Sequence, residues 1–150
     1  MKKVIIFDFN RTIYNPENKE LISGAFDVLT KLYSEKNNIL YLISRNEGEE
    51  KRELILEQFK IKKYFKEVLF VDKKNVQLFK RIIKEERVKT EQVYVIGDYL
   101  HEEIRYGNIC GVNTIWFRNG KFRNMKEKCV EDKPNKVITN IKEIINQDCL

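Results

Sequence analysis

Val4-Ile5-Ile6-Phe7-Asp8-Phe9-Asn10-Arg11-Thr12 opens with an unbroken apolar run that ends on a carboxylate. A strand solvated on one face alternates polar and apolar residues. A run without polar interruption reads as a parallel strand buried on both faces, and open α/β sheets place their chemistry at the carboxyl end of such strands. Val93-Tyr94-Val95-Ile96-Gly97-Asp98 repeats the pattern. Two carboxylates delivered to one crevice point to a divalent cation.

Working outward, Ile39-Leu40-Tyr41-Leu42-Ile43 and Val68-Leu69-Phe70-Val71 read as further buried strands, and Val112 to Phe117 as a fifth. Helical spacing fills the intervals. One pattern runs from about Glu20 to Glu35, with Leu21, Ala25, Val28, Leu29 and Leu32 on one face. A second runs from Glu47 to Phe59, a third carries Val76, Phe79, Ile82 and Ile83, and a short one begins near Glu102. Arg118 to Pro134 is polar and irregular, followed by a short strand at Val137-Ile138 and a closing helix from Ile141 to Ile145. Strand and helix alternate with connections long enough for right-handed crossovers. The expected fold is α/β, a three-layer Rossmann-like parallel sheet with helices on both faces.

The 150 residues suit a single domain over 1–150, since a chain of this size supports one core and not two. No apolar run approaches the roughly 20 residues that span a bilayer. Asp8 interrupts the apolar stretch behind Met1-Lys2-Lys3 too early for a signal peptide, so a cytoplasmic location without membrane attachment is expected. Three cysteines at wide spacing, with His101 the only imidazole, indicate neither a disulfide framework nor a zinc site. A net charge of +6 favours anionic ligands, but the lysines are scattered beside glutamates. Nucleic acid as a partner therefore has no reader motif behind it.

These strand ends carry a specific resemblance. The chain resembles the haloacid dehalogenase (HAD) superfamily, in its cap-less form, whose core is such a sheet with four motifs at successive strand ends. Asp8, Asn10 and Thr12 stand at the three positions of the family's Asp-x-Asp-x-Thr, with Asn10 as the departure. Ser44 matches the Ser or Thr closing the next strand. Lys73 or Lys74 matches the lysine before a helix, and Lys73 is preferred for its six-residue spacing to Phe79. Gly97-Asp98 matches the acidic motif, with Glu102 or Glu103 a looser addition.

The resemblance implies a Mg²⁺-dependent phosphomonoesterase working through an aspartyl-phosphate, with Asp8, Asn10 and Lys73 as the catalytic set. Ser44, Arg45 and Lys73 would bind the phosphoryl oxygens, and Asp8, Asp98 and the backbone carbonyl of position 10 would hold Mg²⁺. Each assignment also has a physical reason: a carboxylate nucleophile meets a phosphoryl anion only when cations neutralise the charge between them. Asn10 has no titratable proton near neutral pH, so general acid–base help, worth roughly 10² to 10⁴ in rate, is lost. The expected hydrolase is slow, and the rival expectation is a catalytically silent HAD-like binding or regulatory module. An open crevice would suit a large phosphorylated substrate, or a second copy of the chain that covers it.

Overall fold

A computed structural model describes residues 1–46 and 52–150. Its centre is a six-stranded parallel sheet in the order β5-β4-β1-β6-β7-β8, and a two-stranded sheet of β2 (Tyr14–Asn15) and β3 (Glu20–Leu21) stands apart from it. The large sheet is built from β1 (Lys3–Asp8), β4 (Asn38–Arg45), β5 (Glu67–Val71), β6 (Val93–Gly97), β7 (Asn113–Phe117) and β8 (Lys136–Ile138). β1 lies between β4 and β6, with Asp8 opposite Ile43 and Phe7 opposite Ile96. Chain order therefore runs outward from β1 in one direction and then in the other. The reversal falls between β1 and β6, the kind of point where α/β sheets bind ligands.

Strand alternation divides the core into two layers. Ile5 and Phe7 of β1, with Leu40 and Leu42 of β4, pack under α1 (Ala25–Ser34), α2 (Arg52–Gln58) and α5 (Glu143–Asn146). Val4 and Ile6, with Tyr41, Ile43 and Val95, pack against Phe79 and Ile82 of α3 (Val76–Glu86) and beside Tyr106 of α4 (Arg105–Cys110). Burial on both faces is what the unbroken apolar runs predict, and it holds for β1 and the core of β4, whereas β5 at the sheet edge is only half-buried and leaves Phe70 exposed.

The expected helix start at Glu20 is not observed. Glu20 and Leu21 form β3, paired antiparallel with Tyr14 and Asn15 of β2. Tyr14 stacks on Phe9 with ring centroids 5.2 Å apart, and Leu21 lies opposite it in the hairpin. Leu21 thus belongs to the hairpin and not to a helix face, and α1 begins only after Gly24, whose φ of 89° few other residues adopt. The helix expected from Glu47 falls partly outside the described residues and is seen from Arg52. Glu102 lies inside a π-helical turn, Leu100–Ile104, that runs into α4. No helix among the described residues is long and apolar enough to cross a membrane.

Candidate active site

Asp8 ends β1, and Asp98 follows β6 directly, so the sheet brings both to the carboxyl edge at the strand reversal. The Asp98 backbone is fixed there, its carbonyl accepting a hydrogen bond from Trp116 Nε1 at 2.9 Å. Glu103, presented by the π-helical turn, joins them, and carboxylate oxygens of all three lie within 4.8 Å of one another. Glycine at 97 leaves room for the approach: a Cβ there would stand 3.0 Å from both Cβ and Cγ of Glu103.

Lys74 is the counter-charge. It is 1% exposed, and its ammonium donates to Asp8 Oδ1 at 2.5 Å and to Glu103. Burial alone would lower its pKa, but the charges of Asp8 and Glu103 and their hydrogen bonds raise it, so it stays protonated. Thr12 Oγ1 makes a long 3.4 Å hydrogen bond to Asp8 Oδ2. Burial, then the charge of Asp8, pushes Glu103 up to about 7 against the pull of Lys74. Burial and the neighbouring Asp8 carboxylate likewise hold Asp98 well above the usual range.

Three carboxylates facing one ammonium leave an excess of two negative charges when all are ionised. Asp98 Oδ2 and Glu103 Oε2 are buried and have no hydrogen-bond partner among the described residues. Buried polar atoms normally find one, and an oxygen-only donor set with two orphaned oxygens fits a hard divalent cation.

Asp8, Asn10, Ser44, Arg45 and Asp98, all singled out from the sequence, line one cavity of about 430 Å³. Ser44 is buried at the end of β4, its hydroxyl donating to the Arg45 carbonyl at 3.2 Å, and Arg45 reaches Glu102 at 3.6 Å. The Asn10 side chain does not join the acids: its Oδ1 accepts from Arg52 Nη1 at 3.1 Å. The preference for Lys73 is corrected, because Lys73 is exposed and Lys74 occupies the buried position. Asn75, whose side chain caps α3 by accepting from Leu78 N at 3.1 Å, marks the helix start and makes Lys74 the last residue before it. Glu103 was read only as a loose addition, and Arg52 was missed, since an arginine opening a helix carries no special signal. His101 does not line the cavity; its Nδ1 lies 2.8 Å from Asp132 Oδ2.

A family model described as HAD-hydrolase-like matches residues 71–144, a stretch that takes in Lys74, Asp98 and Glu103. A glyceraldehyde 3-phosphate phosphatase of Methanopyrus kandleri is 30% identical over 80 residues, 53% of this chain and 34% of that protein. One from Pyrococcus furiosus is 33% identical over 55 residues, 37% of this chain and 23% of that protein. The chain thus spans about a third or less of the curated relatives it matches. Among solved structures, the Bacillus subtilis protein YfnB, crystallised bound to magnesium, superposes with a TM-score of 0.78 at 15% identity, covering 99% of both chains. Over residues 71–144 the chain is similar to the HAD-hydrolase-like family, and its sheet order and the buried acids at the strand reversal agree with that likeness.

Proposed function

We propose that the chain is a Mg²⁺-dependent phosphohydrolase in which Asp8 is the nucleophile and forms an aspartyl-phosphate. The observation that carries the reading is the Asp8 carboxylate at the strand reversal, held by Lys74 beside two acids with unpartnered buried oxygens. The names of the two curated relatives and of the HAD-hydrolase-like family support a phosphatase.

Asp8, Asp98 and Glu103 would hold Mg²⁺, which when bound neutralises charge between nucleophile and phosphoryl group. Lys74 holds and aims the Asp8 oxygen by a charge-assisted hydrogen bond. Ser44 and Arg45 line the crevice where phosphoryl oxygens would be bound. Asn10 can donate a hydrogen bond but cannot deliver or take a proton, so turnover is slow.

Hydrolysis of p-nitrophenyl phosphate with and without Mg²⁺ tests the reading. Weak metal-dependent release of nitrophenol is expected from the wild type and none from Asp8→Asn. Equal rates in the two proteins would refute the nucleophile, and silence in the wild type would favour a binding or regulatory module.

A further inference from the structure

We infer that the crevice takes a phosphoanhydride, a phosphoryl group joined to a second phosphate or to a carboxylate, in preference to an alkyl phosphate ester. The inference rests on the phosphohydrolase reading above and names its substrate class.

The pair Asn10–Arg52 points to this class. Where an acid could protonate a departing alcohol, the chain places an amide whose Oδ1 is held by Arg52 Nη1 at 3.1 Å. Arg52 is itself fixed: it is 6% exposed, its Nε donates to the Arg45 carbonyl at 2.9 Å, and its guanidinium lies 5.4 Å over the Phe9 ring. Neither side chain gives up a proton near neutral pH. Among the described residues, the other carboxylates lining the cavity are engaged elsewhere: Glu103 pairs with Lys74, Asp98 lies beside Asp8 at the floor, and Glu102 meets Arg45 at 3.6 Å. The lining also carries four cations outside the acid cluster, Arg11, Arg45, Arg52 and Lys121, with Arg11 paired to Glu17 at 2.6 Å.

An alkoxide is too basic to leave without a proton. A phosphate or carboxylate oxygen leaves as a stable anion, and the arginines that cannot protonate it can attract it. In the reaction an Asp8 oxygen bonds to the terminal phosphorus while the bond from phosphorus to the bridging oxygen breaks. The electron pair departs with that oxygen and no proton is gained. Water then cleaves the aspartyl-phosphate to the Asp8 carboxylate and dihydrogen phosphate.

The test compares kcat/KM with Mg²⁺ for pyrophosphate, acetyl phosphate and glyceraldehyde 3-phosphate. Either anhydride should exceed the alkyl ester by about 10²-fold or more, the usual size of missing acid catalysis. The two anhydrides rank a phosphate against an acyl leaving group. An alkyl ester that matches or exceeds both overturns the inference. Asn10→Asp supplies a second arm: beside Arg52 the new carboxylate stays ionised, so the gain on the ester should be below about tenfold. Adding Arg52→Gln should then raise it further, with thermal melts confirming that both variants fold. A gain near 10²-fold from Asn10→Asp alone would overturn the role given to Arg52. Anhydride cleavage that survives Asp8→Asn would instead sink the assignment of Asp8 as nucleophile while leaving the substrate preference standing.

Discussion

Lys74 reaches its position from the residue before the α3 cap and meets carboxylates from β1 and from the turn after β6. Removing one member of a buried charge group leaves the others uncompensated, which typically costs about 3–5 kcal/mol. Lys74→Met should lose stability on that order in urea unfolding and abolish Mg²⁺-dependent activity, whereas the exposed Lys73→Ala should stay within about 0.5 kcal/mol of wild type. Gly97 acts at the same scale through its missing side chain. Gly97→Ala would press a Cβ to 3.0 Å from Glu103 and displace that carboxylate. A loss of about 1–3 kcal/mol is expected, with a smaller rise of melting temperature on adding Mg²⁺; an unchanged Mg²⁺ response would show that Glu103 does not help to hold the ion.

The π-helical turn Leu100–Ile104 holds Glu103 at the floor and Glu102 at the rim, and its outer side is clamped by the segment after β7. Asp132, fully buried, accepts from Arg105 Nε at 2.6 Å, Arg105 Nη2 at 3.0 Å and Lys128 N at 2.8 Å, and faces His101 Nδ1. Burial opposes its ionisation, but the Arg105 hydrogen bonds hold its carboxyl well below the usual range. Asp132→Ala should therefore destabilise by about 1–3 kcal/mol and speed amide hydrogen exchange across 100–110, the two effects separating the clamp from a merely local contact. The parallel strands were legible from sequence because burial on both faces leaves no polar residue to interrupt Val4–Phe7 or Val93–Ile96. The same strands announced Asp8 and Asp98, which lie at their ends. The β2-β3 hairpin was not legible, since Leu21 fits a helix face as well as it fits a pair with Tyr14. Glu103 was also obscured, because its burial depends on a turn wider than an α-helix and on the space left at Gly97.

Across the molecule, two sets of buried acids set opposite limits on stability. At the amino-terminal edge of the sheet, Glu86 is opposed by burial, but hydrogen bonds from Lys2, Lys66 and Tyr41 lower it to about 2 from 4.5. Its contribution is complete above about pH 4.5 and is lost as pH falls toward 2, because the unfolded chain takes up the proton first. At the carboxyl edge the sign is reversed. Glu103, raised from 4.5 to about 7, keeps its proton in the folded state after the unfolded chain has released it. Stability of the metal-free protein therefore falls as pH rises from 4.5 to 7, and Asp98, raised in the same direction, adds to the fall. A cation bound by Asp8, Asp98 and Glu103 stabilises their ionised forms, so its binding competes with protons and strengthens over that window. Melting curves should then show the metal-free protein most stable on the acid side of neutrality. Saturating Mg²⁺ should raise the melting temperature more at pH 8 than at pH 5, the added stability being about 2.7 kcal/mol at a hundredfold excess over Kd. Glu103→Gln should flatten the metal-free slope and weaken the Mg²⁺ response together. A Mg²⁺ effect equal at both pH values would mean that these carboxylates are not where the ion binds.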